Sequence, residues 1–101
     1  MPKYRLTSLS NRDLNEIWEY TFQKWSVKQA DTYYNLLIES FNQIVIDPNC
    51  GKNYDGVEPK LRGLKVGKHI VFYELLNNDT IEISRILHQR MDIQNKLNKG
   101  F

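Results

Sequence analysis

Two helical patterns meet in this chain with no linker between them. NRDLNEIWEYTFQKW, residues 11 to 25, carries Leu14, Ile17, Trp18, Thr21 and Trp25 at spacings of three and four. Such spacing puts them on one stripe of an amphipathic helix. Ser26 follows at once and forms an S-x-x-Q start signal with Gln29. Ala30, Tyr33, Tyr34, Leu37, Phe41, Ile44 and Val45 then repeat with helical period, and Asp47-Pro48 ends the run. A fresh helix start directly behind a finished helix requires the chain to turn back as an αα-hairpin. For the first helix the start signal is read at Ser10, with the Asp13 carboxylate three residues on.

The remaining segments have strand character. KYRLTS (3 to 8) alternates Tyr4 and Leu6 with Lys3, Arg5 and Thr7. The stretch DPNCGKNYDGVEPK (47 to 60) is rich in Gly, Pro, Asn and Asp and reads as a long loop. Beyond it come LRGLKV (61 to 66), KHIVFYELL (68 to 76) and TIEISRILH (80 to 88), separated by Gly67 and by Asn77-Asn78-Asp79. Short turns between β-branched and aromatic runs predict an antiparallel meander. The middle run is apolar in both phases (Ile70 and Phe72, Val71 and Tyr73), which places it at the sheet centre.

The expected fold is therefore α+β, in the order β-α-α-β-β-β, with the helical hairpin packed on a small, mainly antiparallel sheet. It is read as a single domain over 1–101, with 89–101 as a short C-terminal helix or tail. Trp18, Trp25, Leu37 and Phe41 are expected to cover one sheet face, and the other is expected to be partly open. The first strand can join either edge of the meander.

Composition narrows the function classes. Of the 101 residues 41% are hydrophobic, and no run of about 18 apolar residues or signal-peptide core occurs, so a soluble, cytoplasmic protein with no membrane role is expected. The lone Cys50 excludes an internal disulfide and a four-thiolate zinc site. The nucleophile elbow, phosphate loop, dinucleotide fingerprint and zinc-protease motif are absent, so neither metal nor cofactor is expected. A net charge of +2 is explained as well by solubility as by an anionic partner.

What remains is a series of cations in the second half: Lys60, Arg62, Lys65, Lys68, His69, Arg85, His88 and Arg90. A meander would gather many of them on neighbouring strands, either as a solvated face or as a surface for a phosphate backbone or an acidic protein. By strand alternation Arg85 shares its phase with Ile81, Ile83 and Leu87 and is aimed at the apolar side. There it needs a carboxylate or carbonyl, which makes it a candidate structural ion pair. His88 shares its phase with Glu82, Ser84 and Ile86, on the more polar face. It is either an acid–base group or a strand-end residue bonded to backbone.

NRDLNEIWEYTFQKW, QADTYYNLL, LRGLKVGKHIVFYELL and ISRILHQRMD together resemble the ParE toxins of the RelE/ParE superfamily. The resemblance runs from about Tyr4 to Asp92, in matching order and spacing. It implies the toxin of a bacterial type II toxin–antitoxin system. Toxins characterised as ParE poison DNA gyrase, although their fold is similar to that of the translation-dependent ribonuclease RelE. The resemblance further implies a ParD-like antitoxin that lays an extended, partly helical tail over the hairpin and sheet. Operator DNA would be reached only indirectly, through the antitoxin.

Two site readings follow. As a gyrase inhibitor without catalysis of its own, the chain would meet its target or antitoxin through Arg62, Lys65, Lys68, His69, His88 and Arg90. As a RelE-like ribosome-dependent endoribonuclease, Arg62 and Arg85 would hold the phosphate and His88 would protonate the leaving oxygen. Lys52 and Lys60 keep that alternative open. No aromatic residue follows Tyr73 except Phe101, so the tyrosine often found near the end of nuclease members has no counterpart.

Overall fold

The computed structural model describes residues 3–91. The elements are β1 (Lys3–Leu6), α1 (Ser8–Lys24), α2 (Val27–Ile46), β2 (Lys52–Asn53), β3 (Arg62–Val66), β4 (His69–Leu75) and β5 (Thr80–His88). They form a helical hairpin on a five-stranded mixed sheet of order β1-β5-β4-β3-β2. The expected β-α-α-β-β-β architecture is present, with the two-residue β2 added inside the long loop. β1 lies at the edge beside β5 and runs parallel to it, and the other pairings are antiparallel. The apolar middle run, β4, is the central strand.

Helix α2 starts as read: Ser26 is its N-cap and its side chain accepts the Gln29 N–H at 3.1 Å. Helix α1 starts three residues earlier than expected. Its N-cap is Thr7, whose hydroxyl oxygen accepts the Ser10 N–H at 3.1 Å, while the Ser10 hydroxyl is buried and donates back to the Thr7 carbonyl. Thr7 is placed by the sheet, since its N–H bonds the Ile83 carbonyl and its hydroxyl the Ser84 carbonyl. Asp13 is thus a full turn inside the helix and does no capping.

The main core lies between the hairpin and one sheet face. Leu14, Leu37, Phe41 and Ile44 meet Val71, Tyr73, Ile81, Ile83 and Ile86. Burying a side chain of this size contributes roughly 1.5–3 kcal/mol. Trp25 is no part of it: this expected cover residue is 66% exposed at the hairpin corner. Trp18 is half-buried and bridges the helices, donating to Asp31 at 3.0 Å and stacking on Phe22. The other sheet face is less open than expected. Leu61, Phe72 and Leu87 form a second cluster there, roofed by Tyr54 and Val57 from the long loop.

The strand phases of β5 also differ from simple alternation. Between Phe72↔Arg85 and Tyr73↔Ile83 the register shifts, leaving Ser84 as an extra residue. A bulge of this kind exchanges the faces that follow it. Ile86 therefore joins Ile81 and Ile83 in the main core, while Leu87 belongs to the opposite face. The phases assigned above to Arg85 and His88 are corrected accordingly. The expected helix or tail over 89–101 lies, from residue 92 on, outside the described residues.

Candidate functional site

Beyond Leu6 the chain leaves the sheet, so β5 loses its parallel neighbour there. Asp13 of α1 takes over that edge: its Oδ2 accepts the Ile86 N–H at 3.0 Å and the Arg85 Nε–H at 2.8 Å. Oδ1 accepts from the second guanidinium nitrogen at 3.1 Å. Both side chains are largely buried, and the carboxylate bond raises the pKa of the Arg85 guanidinium. The guanidinium is committed to holding α1 on the sheet.

The remaining candidates are spread along the sheet. Arg62 stands opposite Tyr73 and donates to the Gly51 carbonyl at 2.8 Å, tying β3 to the long loop. His88 is at the other end of the meander, directly across from His69, with the two rings edge-to-face at 5.3 Å. The set Arg62, Arg85 and His88 is thus not brought together, whereas His69 and His88 are. Lys65 is exposed on β3, Lys68 lies in the β3–β4 turn, and Arg90 follows β5 with its N–H donated to Nδ1 of His88 at 3.1 Å.

A residue that spacing alone did not single out completes this corner. The Tyr33 hydroxyl of α2 is 2.6 Å from Nδ1 of His69, accepts the Lys68 N–H at 3.0 Å and donates to the Val66 carbonyl at 3.2 Å. A Cβ on Gly67, whose φ is +58°, would stand 2.6 Å from that same hydroxyl oxygen. The turn approaches α2 so closely because glycine occupies it. Burial raises the Tyr33 pKa. Burial, and then the neighbouring His88, lower that of His69 to about 4, so its ring is neutral near pH 7. In the sequence Tyr33 reads only as a helix-stripe residue; its partner is 36 positions away.

Tyr33, His69 and His88 open into a groove of about 1240 Å³ between the hairpin corner, the outer side of α2 and the β3–β4 turn. Trp25, Gln29, Thr32, Leu36 and Glu39 form its long wall. From Ser26 to Glu39 that wall is about 20 Å long at the α-helical rise. Lys24, Lys28 and Lys68 face it along with the two imidazoles, against the one carboxylate, Glu39, that the described residues place there. It exceeds the usual size of a small-molecule pocket, about 300–1,000 Å³, and its length and charge suit a peptide segment carrying carboxylates. Among the described residues no group of three or more His, Cys, Asp or Glu side chains is arranged to hold a metal ion. No helix among them is long and apolar enough to cross a membrane.

With fold and site in place, comparison with known proteins defines the class. The family described as ParE toxin of type II toxin-antitoxin system, parDE, matches residues 4–93. The chain belongs to this family. It is 35% identical over 95 residues to Toxin ParE1 of Mycobacterium tuberculosis (strain ATCC 25618 / H37Rv), covering 94% of this chain and 97% of that protein. It is also 35% identical over 92 residues to Toxin ParE1 of Caulobacter vibrioides, covering 91% and 94%. A solved structure titled as a chromosomal ParDE system from P. aeruginosa superposes with a TM-score of 0.73 at 18% identity, covering 87% of this chain and 95% of that one. That likeness concerns the fold alone. The protein is a ParE toxin of a parDE-type toxin–antitoxin system.

Proposed function

We propose that the chain stops growth by binding DNA gyrase, blocking supercoiling and trapping a cleaved DNA–gyrase intermediate. A ParD-like antitoxin neutralises it by laying an acidic, partly helical segment into the groove between α2 and the β3–β4 turn. One observation carries the choice of a binding toxin over a nuclease. The Arg85 guanidinium, which phosphate chemistry would need beside His88, is held at two points by Asp13. Arg62 is likewise engaged, at the Gly51 carbonyl. The carboxylates of an antitoxin would meet Lys24, Lys28 and Lys68, and its apolar residues would lie on Trp25 and Leu36. Exposed aromatic anchors beside cations are the usual carriers of such affinity.

The test is gyrase-driven supercoiling of relaxed plasmid, titrated with the antitoxin-free chain. The expected result is loss of supercoiling with accumulation of linear DNA. Unimpaired supercoiling with a folded, toxic sample would overturn the reading and direct attention to translated mRNA and to His88.

A further inference from the structure

The β3–β4 turn forms one wall of the groove, and Val66 at its start is buried in the main core. The polar part of its attachment to α2 is the Tyr33 hydroxyl, shared among the Val66 carbonyl, the Lys68 N–H and the His69 ring. Gly67, at the apex, contributes no side chain. That polar attachment is half-buried and includes an imidazole that touches a second imidazole. We propose that Tyr33 and His69, with His88 beside them, form a proton-operated latch: with the His69 ring neutral the turn is pinned to α2, and proton uptake there releases it and removes that wall of the groove.

The charges around the rings favour release. On β5, His88 faces His69 directly, and a proton on either ring opposes one on the other. The turn adds Lys68, and the helices add Lys24 and Lys28 across the groove. Opposing them on α2 are Glu39, in the groove wall, and the phenol of Tyr33, which carries no negative charge to offer near neutral pH. On α1, Asp13 favours the charged ring, but its oxygens already serve Arg85 and the Ile86 N–H. A cationic His69 is therefore poorly compensated where it sits. Burial disfavours the charged ring, which is better solvated once it moves away from Tyr33, and the Lys68 N–H then leaves with it. Burial lowers the His69 pKa, consistent with a pinned, neutral ring at neutral pH. As regulation of antitoxin binding, this rests on the groove being the antitoxin's site.

The experiment uses the full chain alone, so its outcome does not depend on that assignment. Imidazole nitrogen signals and amide protection factors are followed by NMR from pH 7.5 to about 3 in the parent, Tyr33→Phe and His88→Gln proteins. In the parent, the Lys68 amide should lose at least tenfold protection with the same midpoint as His69. In Tyr33→Phe its protection should already be low at pH 7.5 and independent of pH. In His88→Gln the His69 midpoint should rise. If Lys68 protection does not change as His69 titrates, or is equal in the parent and Tyr33→Phe, the latch is wrong. If the latch operates but antitoxin binding is insensitive to pH, the groove assignment fails instead.

Discussion

Asp13 on α1 and Arg85 on β5 are 72 positions apart and joined by two hydrogen bonds of 2.8 and 3.1 Å, with side chains 10% and 14% exposed. Removing one partner of a buried pair leaves the other charge uncompensated, a cost of about 3–5 kcal/mol. Asp13→Ala also orphans the Ile86 N–H. Asp13→Ala and Arg85→Ala are each expected to lower unfolding free energy by roughly 3 kcal/mol, and the double variant by much less than their sum. Asp13→Asn, which keeps an acceptor for Ile86, should fall between. Urea unfolding of the set checks this; additive losses would mean that the two residues act separately.

Gly63 sets the distance between β3 and the loop that roofs the second cluster. A Cβ there would lie 2.8 Å from the Tyr54 ring and 2.9 Å from Ile70. Gly63→Ala should push Tyr54 off Phe72, with which it now makes an edge-on contact at 5.1 Å, and loosen residues 54–61. Limited proteolysis should then cut this loop several-fold faster, while the hairpin face remains intact.

Stability should also depend on pH in a definite direction. The unfolded chain protonates His69 near 6.5, the folded one only near 4, so between these values the unfolded state binds more protons. His69's contribution is full above about pH 6.5 and is lost as pH falls toward 4. In His69→Gln the acid slope should flatten when urea midpoints are compared at pH 7.5, 5.5 and 4.5. At the alkaline end, burial pushes the Tyr73 phenol up to about 12 from 10, so its contribution holds below pH 10 and is lost through 12. Tyr73→Phe should remove that loss. It also deletes the bonds to the Gly51 N–H and the Pro48 carbonyl.

Trp25 separates binding from folding. It is 66% exposed and lines the groove. Trp25→Ala is expected to change unfolding free energy by no more than about 0.5 kcal/mol. Affinity for the antitoxin should fall at least tenfold, as for a truncated aromatic anchor. Calorimetric titration with the antitoxin decides; unchanged affinity would move the docking surface off the hairpin corner.

Most elements were legible in the sequence, because caps, breakers and periodicity act over a few residues; the two-residue β2 was not. Ser26 before Gln29 and Asp47 before Pro48 bounded α2, and the apolar run of β4 placed it at the centre. Packing between distant segments set what lies beyond that range. Thr7 rather than Ser10 caps α1 because β5 carbonyls hold Thr7 in place. The register shift at Ser84 exchanged the faces of β5, which no alternation rule anticipates, since the shift exists only in the pairing with β4. Likewise the site was half legible. His69 and His88 could be named from composition, but their approach, and the Tyr33 hydroxyl beside them, follow from packing α2 against a turn made by residues far along the chain. Side-chain chemistry is written residue by residue, whereas a site is a set of distances, and those arise only when the core closes.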